Sequence, residues 1–330
     1  MKILVIDQQP YYITTRAVWE HWQREGHHEV LVNHNFNKQQ VMDADFVWCE
    51  WLGRNALELS KGVGENEDPW PNTKVVIRAI DIDAYTATAT HVRWKNIDAF
   101  LYATPHIRDI VLGKIRESLP RRLKKWRIQL GVPEDEFPMR KGYGGGGVVG
   151  ERLARDQRNI AFVGRFWSMK GSCEMPGLLQ RLYQVEPNRD WHLYMVGPFA
   201  GDKRIEHGFI EYALEDMGLR DKATLVQRVP DMSKFLEKID FFVNPSYKEA
   251  FSLITAEAAL RGIKPVIRNW RGCKDTWPEE WTFNTIEEAV DMILHQPYEP
   301  EKYRNYVIDN WSARKEIGRF SRLIRALFKS

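Results

Sequence analysis

Residues 159–171 read Asn159-Ile160-Ala161-Phe162-Val163-Gly164-Arg165-Phe166-Trp167-Ser168-Met169-Lys170-Gly171. A short continuous apolar run that passes straight into a glycine is the pattern of a strand buried on both faces and closed by a tight loop. Gly164 lets backbone N–H groups approach an anion, Arg165 offers a planar fork and Lys170 a point charge, a set suited to a diphosphate. The segment has neither Gly-Lys-Ser/Thr nor G-x-G-x-x-G, so it is not a Walker loop or the dinucleotide fingerprint. Taken alone, the two cations read first as solvated surface charges.

Runs of the same kind recur on both sides. Before this segment lie Ile3–Ile6, Val30–Val32, Phe46–Trp48, Val75–Ile77 and Phe100–Tyr102; after it come Leu193–Val196, Thr224–Val226, Phe241–Val243 and Val266–Ile267. Helical patterns separate them, which predicts α/β architecture with parallel sheets covered on both faces, in two doubly wound domains. A chain of 330 residues that is 43% hydrophobic and 12% aromatic has the material for two cores. Lys141, Gly142 and Gly144–Gly147 read as a linker near the boundary. Residues 303–329 read as helix with an apolar face of Trp311, Ile317, Phe320, Leu323, Ile324 and Leu327.

Downstream, the strand Phe241-Phe242-Val243 leads through Pro245-Ser246-Tyr247-Lys248-Glu249-Ala250-Phe251-Ser252 into a short helix from Leu253, ended by Gly262. Leu253, Ala256 and Leu260 form its buried stripe, and Glu257 sits beside that stripe. A carboxylate next to a buried face costs several kcal/mol unless it is satisfied, and the vicinal hydroxyls of a ribose could satisfy it. Glu249 would lie at the rim of the same crevice. The plain alternative is a surface glutamate and a helix-start glutamate.

In this order the two segments resemble the retaining GT-B glycosyltransferases of family 4, whose second domain carries G-R-x-x-x-x-K-G and then P-S-x-x-E-x-F-x-L-x-x-x-E-A. The matching residues are Gly164, Arg165, Lys170 and Gly171, then Pro245, Ser246, Glu249, Phe251, Leu253, Glu257 and Ala258, with Leu193–Pro198 as the next strand and glycine. The resemblance implies the GT-B fold: two Rossmann-like domains facing a central cleft, with the C-terminal helix crossing back to the first. Residues 1–150 would bind the acceptor, 151–304 the nucleotide sugar, and 305–330 would pack on the N-terminal domain. The implied reaction is transfer of a sugar from a nucleotide-diphosphate donor to an acceptor hydroxyl with retention, independent of metal and of any cofactor beyond that co-substrate. Arg165 and Lys170 would meet the leaving diphosphate with the backbone N–H groups of Ser252 and Leu253. Glu257 would hold the ribose and Glu249 the donor sugar, while Gly164, Gly197, Arg228, Val229 and Pro230 would lie at the nucleotide.

The N-terminal half departs from the family pattern. Asp7-Gln8-Gln9-Pro10-Tyr11-Tyr12 stands where relatives carry a glycine-rich loop, so Gln9, Tyr11 and Tyr12 either line the cleft or form a turn. After Val75-Val76-Ile77-Arg78, where relatives place a histidine, the chain reads Ala79-Ile80-Asp81-Ile82-Asp83. Asp81 or Asp83 could take over contact with sugar hydroxyls, with Asp81 the catalytic candidate, or His91 could reach in from a helix beginning near Thr86. Gly26 is the expected C-cap of the first helix.

Cys49, Cys173 and Cys273 are widely spaced and suggest neither a disulfide framework nor a zinc site. The opening segment lacks a signal-peptide cleavage site and no long apolar run occurs, so a cytoplasmic location is expected. A net charge of +3 does not imply nucleic acid. Arg121, Arg122, Lys124, Lys125 and Arg127, with Arg108, Lys114 and Arg116 before them, are nevertheless clustered. They are expected on helices, where they form either a solvated face or a grip on a polyanionic acceptor: nucleic acid, a phosphorylated glycan or a lipid headgroup. The alternatives to a transferase are a GT-B nucleotide-sugar epimerase or phosphorylase, or a non-catalytic nucleic-acid or glycan binder using residues 121–127.

Overall fold

The computed structural model describes residues 1–8, 14–64, 66, 68–140, 157–198 and 204–329. The chain forms two compact units, one made of Met1–Pro133 with Trp311–Ser330 and the other of Glu134–Asn310. In chain order the first holds β1 (Lys2–Asp7), α1 (Arg16–Glu25), β2 (Glu29–Asn33), α2 (Lys38–Met42), β3 (Phe46–Glu50), α3 (Arg54–Ser60), β4 (Lys74–Ala79), α4 (Thr88–His91), β5 (Ala99–Tyr102), α5 (Pro105–Lys114) and β6 (Lys124–Arg127). Its sheet runs β2-β1-β3-β4-β5-β6, parallel throughout. Gly26 ends α1 in the left-handed conformation at φ 69°, as expected from its place before β2.

The second unit holds β7 (Gln157–Val163), α6 (Met175–Val185), β8 (Asp190–Val196), α7 (Arg204–Asp216), β9 (Ala223–Val226), α8 (Met232–Leu236), β10 (Phe241–Asn244), α9 (Leu253–Leu260), β11 (Lys264–Arg268), β12 (Thr282–Phe283), α10 (Ile286–Leu294) and α11 (Pro300–Trp311). Its sheet runs β12-β11-β10-β7-β8-β9, again parallel. The apolar runs are strands because both faces are covered: Ile160, Phe162, Leu193, Met195 and Val243 are buried with Leu178, Leu182 and Ile293 from the flanking helices.

Three expectations change. The division falls between residues 133 and 134, not at 150, because Arg140 is already buried in the second unit: its Nε donates to the Arg261 carbonyl at 3.1 Å and its Nη2 to the Tyr298 hydroxyl at 2.9 Å. The glycine-rich stretch Lys141–Gly147 lies outside the described residues. The terminal helix is two helices, α11 and α12 (Ala313–Phe328), interrupted at Ser312. There Val132 N–H donates to the Trp311 carbonyl and Ala313 N–H to the Val132 carbonyl, which pulls the backbone out of the helical ladder. Finally, Lys124–Arg127 is the edge strand β6 rather than a helix; lysine and arginine on an exposed edge discourage pairing with another chain.

Helix α12 belongs to the first unit, and its Phe320, Leu323 and Leu327 join Trp22, Phe46, Trp48 and Leu101 in the core. It is anchored by charge as well. Arg78, fully buried, donates from Nε and Nη2 to Glu50 at 2.8 and 2.7 Å and from Nη1 to Glu316, whose other oxygen accepts from Gly131 N–H at 2.8 Å. Burial pushes Glu50 up to about 7 despite Arg78, and Glu316 also rises for the same reason, while both carboxylates keep the Arg78 guanidinium above its ordinary value. Replacing Arg78 with methionine strands two carboxylates. The expected loss is about 3–5 kcal/mol in urea unfolding at neutral pH, shrinking toward pH about 5 as the carboxyls take up protons; a variant as stable as the parent at both pH values refutes the account.

Candidate functional site

In the second sheet β7 and β10 are neighbours, with β8 and β9 continuing on one side and β11 and β12 on the other. This reversal of strand order is a topological switch point, where the loops leaving the strand C-termini part to form a crevice. The loop after β7 is 164–171 and the loop after β10 is 245–252, so the fold brings both sequence motifs to this place.

Glycine makes the juxtaposition possible. Gly171 has φ +68°, and a Cβ there would lie 2.2 Å from the Pro245 carbonyl oxygen; one on Gly197 would lie 1.8 Å from the Gly164 oxygen. Tyr247 N–H donates to the Met169 carbonyl at 3.0 Å, joining the two loops. Gly164 N–H donates to Val196, and Gly197 N–H to Val226. The predicted residues Gly164, Gly197, Arg228 and Val229 thus follow successive strands on one sheet edge.

The charged groups take up definite arrangements. Lys170 Nζ lies 2.7 Å from Glu249 Oε2, which also accepts from Ser246 Oγ at 3.4 Å. Arg165 is exposed on the glycine loop. Ser252 stands just before α9 without a side-chain capping bond; its hydroxyl accepts from Thr255 Oγ1 at 2.7 Å, with Asn244 Nδ2 donating to Thr255 in turn. Leu253 opens the helix.

Glu257 is partly buried on α9, and burial, with a lesser contribution from Glu136, pushes its pKa up to about 7. The cation one turn later does not relieve it: Arg261 turns to Ser233 at 2.8 Å and Glu237 at 3.2 Å. A carboxyl held in this state gains from hydroxyl donors.

Sequence reading missed the residues that hold the 245–249 loop. Arg268, at the end of β11, donates from Nε to the Pro245 carbonyl at 3.0 Å, pairs with Glu174 and places its guanidinium carbon 4.4 Å from the Tyr247 ring centre. Tyr247 hydroxyl donates to Glu174 as well. The available signal was an arginine at the carboxyl end of an otherwise apolar parallel strand.

In the first unit, Asp81 follows β4 and donates its backbone N–H to Asp83 at 2.8 Å. The buried Asp83 carboxylate also accepts from Leu52 and Ile80 N–H groups, which turns it toward backbone rather than a ligand and corrects one alternative for the sugar contact. His91 is exposed at the end of α4, its Nδ1 3.0 Å from the Ala87 carbonyl one turn back. Gln9, Tyr11 and Tyr12 lie outside the described residues.

Residues 157–308 match the family model described as glycosyl transferases group 1. This segment is a group 1 glycosyl transferase domain. The chain is 25% identical over 171 residues to the D-inositol 3-phosphate glycosyltransferase of Paenarthrobacter aurescens, an alignment spanning 50% of this chain and 39% of that relative. The sucrose-phosphate synthase of Thermosynechococcus elongatus aligns over 100% of this chain and 99% of its own with a TM-score of 0.75 at 14% identity. The Anabaena protein HepE, solved with UDP and glucose, aligns over 99% and 100% with a TM-score of 0.71 at 13% identity. These likenesses show the GT-B fold.

Two outcomes test this reading of the glycosyl transferase domain. Gly171→Ala should lose more than about 2 kcal/mol in urea unfolding, since the new methyl meets a backbone oxygen and the backbone is left-handed. Glu257 has a folded pKa above its unfolded one, so its contribution to stability is lost as pH rises from the usual glutamate range to about 7. Thermal midpoints of Glu257→Gln relative to the parent should therefore rise across that interval and then level; a constant difference contradicts the buried-carboxyl assignment.

Proposed function

We propose that this protein is a cytoplasmic, retaining glycosyltransferase that moves a sugar from a nucleotide-diphosphate donor to an acceptor hydroxyl. The observation that supports this most is the arrangement at the switch point: Lys170 held at 2.7 Å by Glu249, beside the exposed Arg165 on the glycine loop, within a group 1 domain. In this reading the negative charge that builds on the departing diphosphate is met by Arg165, Lys170 and the N–H groups of Ser252 and Leu253, so that residues of the chain take the place a metal ion would otherwise fill. Glu249 orients Lys170 and stands at the donor sugar.

Glu257 accepts two hydrogen bonds from the ribose, and the backbone at Gly197, Arg228 and Val229 borders the base. No cofactor other than the donor is required. The structural relative HepE, solved with UDP and glucose and with UDP alone, makes that nucleotide the first to try.

The test is transfer assayed with uridine, guanosine, adenosine and thymidine diphosphate sugars, each first screened by thermal shift. Lys170→Ala and Arg165→Ala should each lower kcat by about 10²–10³-fold, the usual effect of removing one transition-state charge partner. Nuclear magnetic resonance of the product should show the donor's anomeric configuration. Unchanged turnover in the double variant removes the transferase mechanism, and an inverted product removes retention.

A further inference from the structure

Residues 114–127 and 313–329 together carry thirteen lysines and arginines against two glutamates, in a chain whose formal net charge is +3. The fold of the first unit unites these two stretches. Lys124 Nζ on β6 donates to the Ala326 carbonyl of α12 at 3.0 Å. The guanidinium carbons of Arg127 and Arg319 lie 5.8 and 6.0 Å from the centre of the same Trp311 ring. Burial, then Arg127 and Arg322, hold Arg319 below the ordinary arginine range, with Glu316 opposing them.

Glu316 is turned into the core against Arg78, so it does not neutralise the outer side of α12. Helical spacing puts Lys315, Arg322, Arg325 and Lys329 opposite the buried Glu316, Phe320, Leu323 and Leu327, and all four cations are exposed. At one end of this face, beside the N-terminal ends of β4 and β5, is a depression of about 250 Å³ lined by Trp70, Asn72, Lys74, Asn96, Arg122 and Phe328. Lys74 lies 3.3 Å from Asp98 there, and Phe328 is 44% exposed at its edge.

The chemistry favours a sheet of phosphates over a nucleic acid. Stacking successive bases needs several exposed aromatic rings, whereas Trp311 is buried, Trp126 is half-buried beneath the cations, and Phe328 at the margin is a single exposed ring. Long basic side chains around one exposed ring at the margin suit a headgroup layer, with the ring entering the interface.

We propose that this face of the first unit docks on an anionic phospholipid surface. The outward cations of α12 and the β6 edge meet the headgroups, and the depression at Lys74 and Arg122 receives one headgroup phosphate. Docking does not rest on sugar transfer, because it is read without a donor.

The full chain is sedimented with vesicles of about one part phosphatidylglycerol to two parts phosphatidylcholine, and with phosphatidylcholine alone. Binding is expected only to the anionic vesicles and should vanish as salt rises from about 0.05 to about 0.5 M. The triple variant Arg322→Glu, Arg325→Glu, Lys329→Glu should bind at least about tenfold more weakly, at roughly 1 kcal/mol per basic residue near the surface, while Lys274→Glu in the second unit should bind as the parent does. Equal binding to neutral vesicles, no binding at low salt, parent-like binding by the triple variant, or tighter retention by duplex DNA than by vesicles each overturns the proposal. Should the triple variant lose its circular dichroism spectrum, the lipid and salt dependence of the unaltered protein decides.

Discussion

The carbonyl oxygens of Gly164 and Pro245 occupy the space that side chains on Gly197 and Gly171 would need. Everything at the second unit's switch point follows from that contact. Backbone packed at this distance fixes the loops after β7 and β10 against each other, and only then do Lys170 and Glu249, distant in sequence, meet across the gap. Their pairing limits the freedom of a flexible ammonium in a place where the protein would otherwise have to order it at a cost in entropy. Arg268 completes the frame from β11, holding the Pro245 carbonyl, Glu174 and the Tyr247 ring together.

The first unit solves a different problem. In the core that α12 completes, where Trp48 and Phe320 lie 4.2 Å apart between ring centres, a fully buried guanidinium is held between two carboxylates. Burial of such a group favours hydrogen-bonded, paired geometry over any near alternative, and exchange of the set for apolar residues could stabilise the unit. What the ionic arrangement supplies is register: Glu316 fits only where Arg78 and the Gly131 N–H both meet it.

Much of this was legible from residues alone. All ten apolar runs are strands, and eight of them are inner strands, where cover on both faces leaves continuous apolar sequence. The edges are less uniform: β2 and β9 keep an apolar run, but Lys124-Lys125-Trp126-Arg127 has one unpaired side and carries charge, so it read as a helix face, and the two residues of β12 left no periodic signal. The glycine, lysine and glutamate positions of the candidate site were likewise visible in order along the chain. Their pairing was not, since side-chain partners such as Lys170 with Glu249, Arg268 with Glu174, or Asp83 with the Leu52 N–H, arise from segments that meet only in the folded state.

Helix α12 fills the core of a unit whose other residues precede the second unit in the chain. On the ribosome, therefore, the order of completion is inverted. Glu134–Asn310 is contiguous and can close on itself as it emerges, whereas the earlier-made sheet stays without Phe320, Leu323 and the carboxylate of Glu316 until the later unit has been translated. The amino-terminal sheet must wait, with Trp22 and Trp48 uncovered, for the segment synthesised after the unit that follows it.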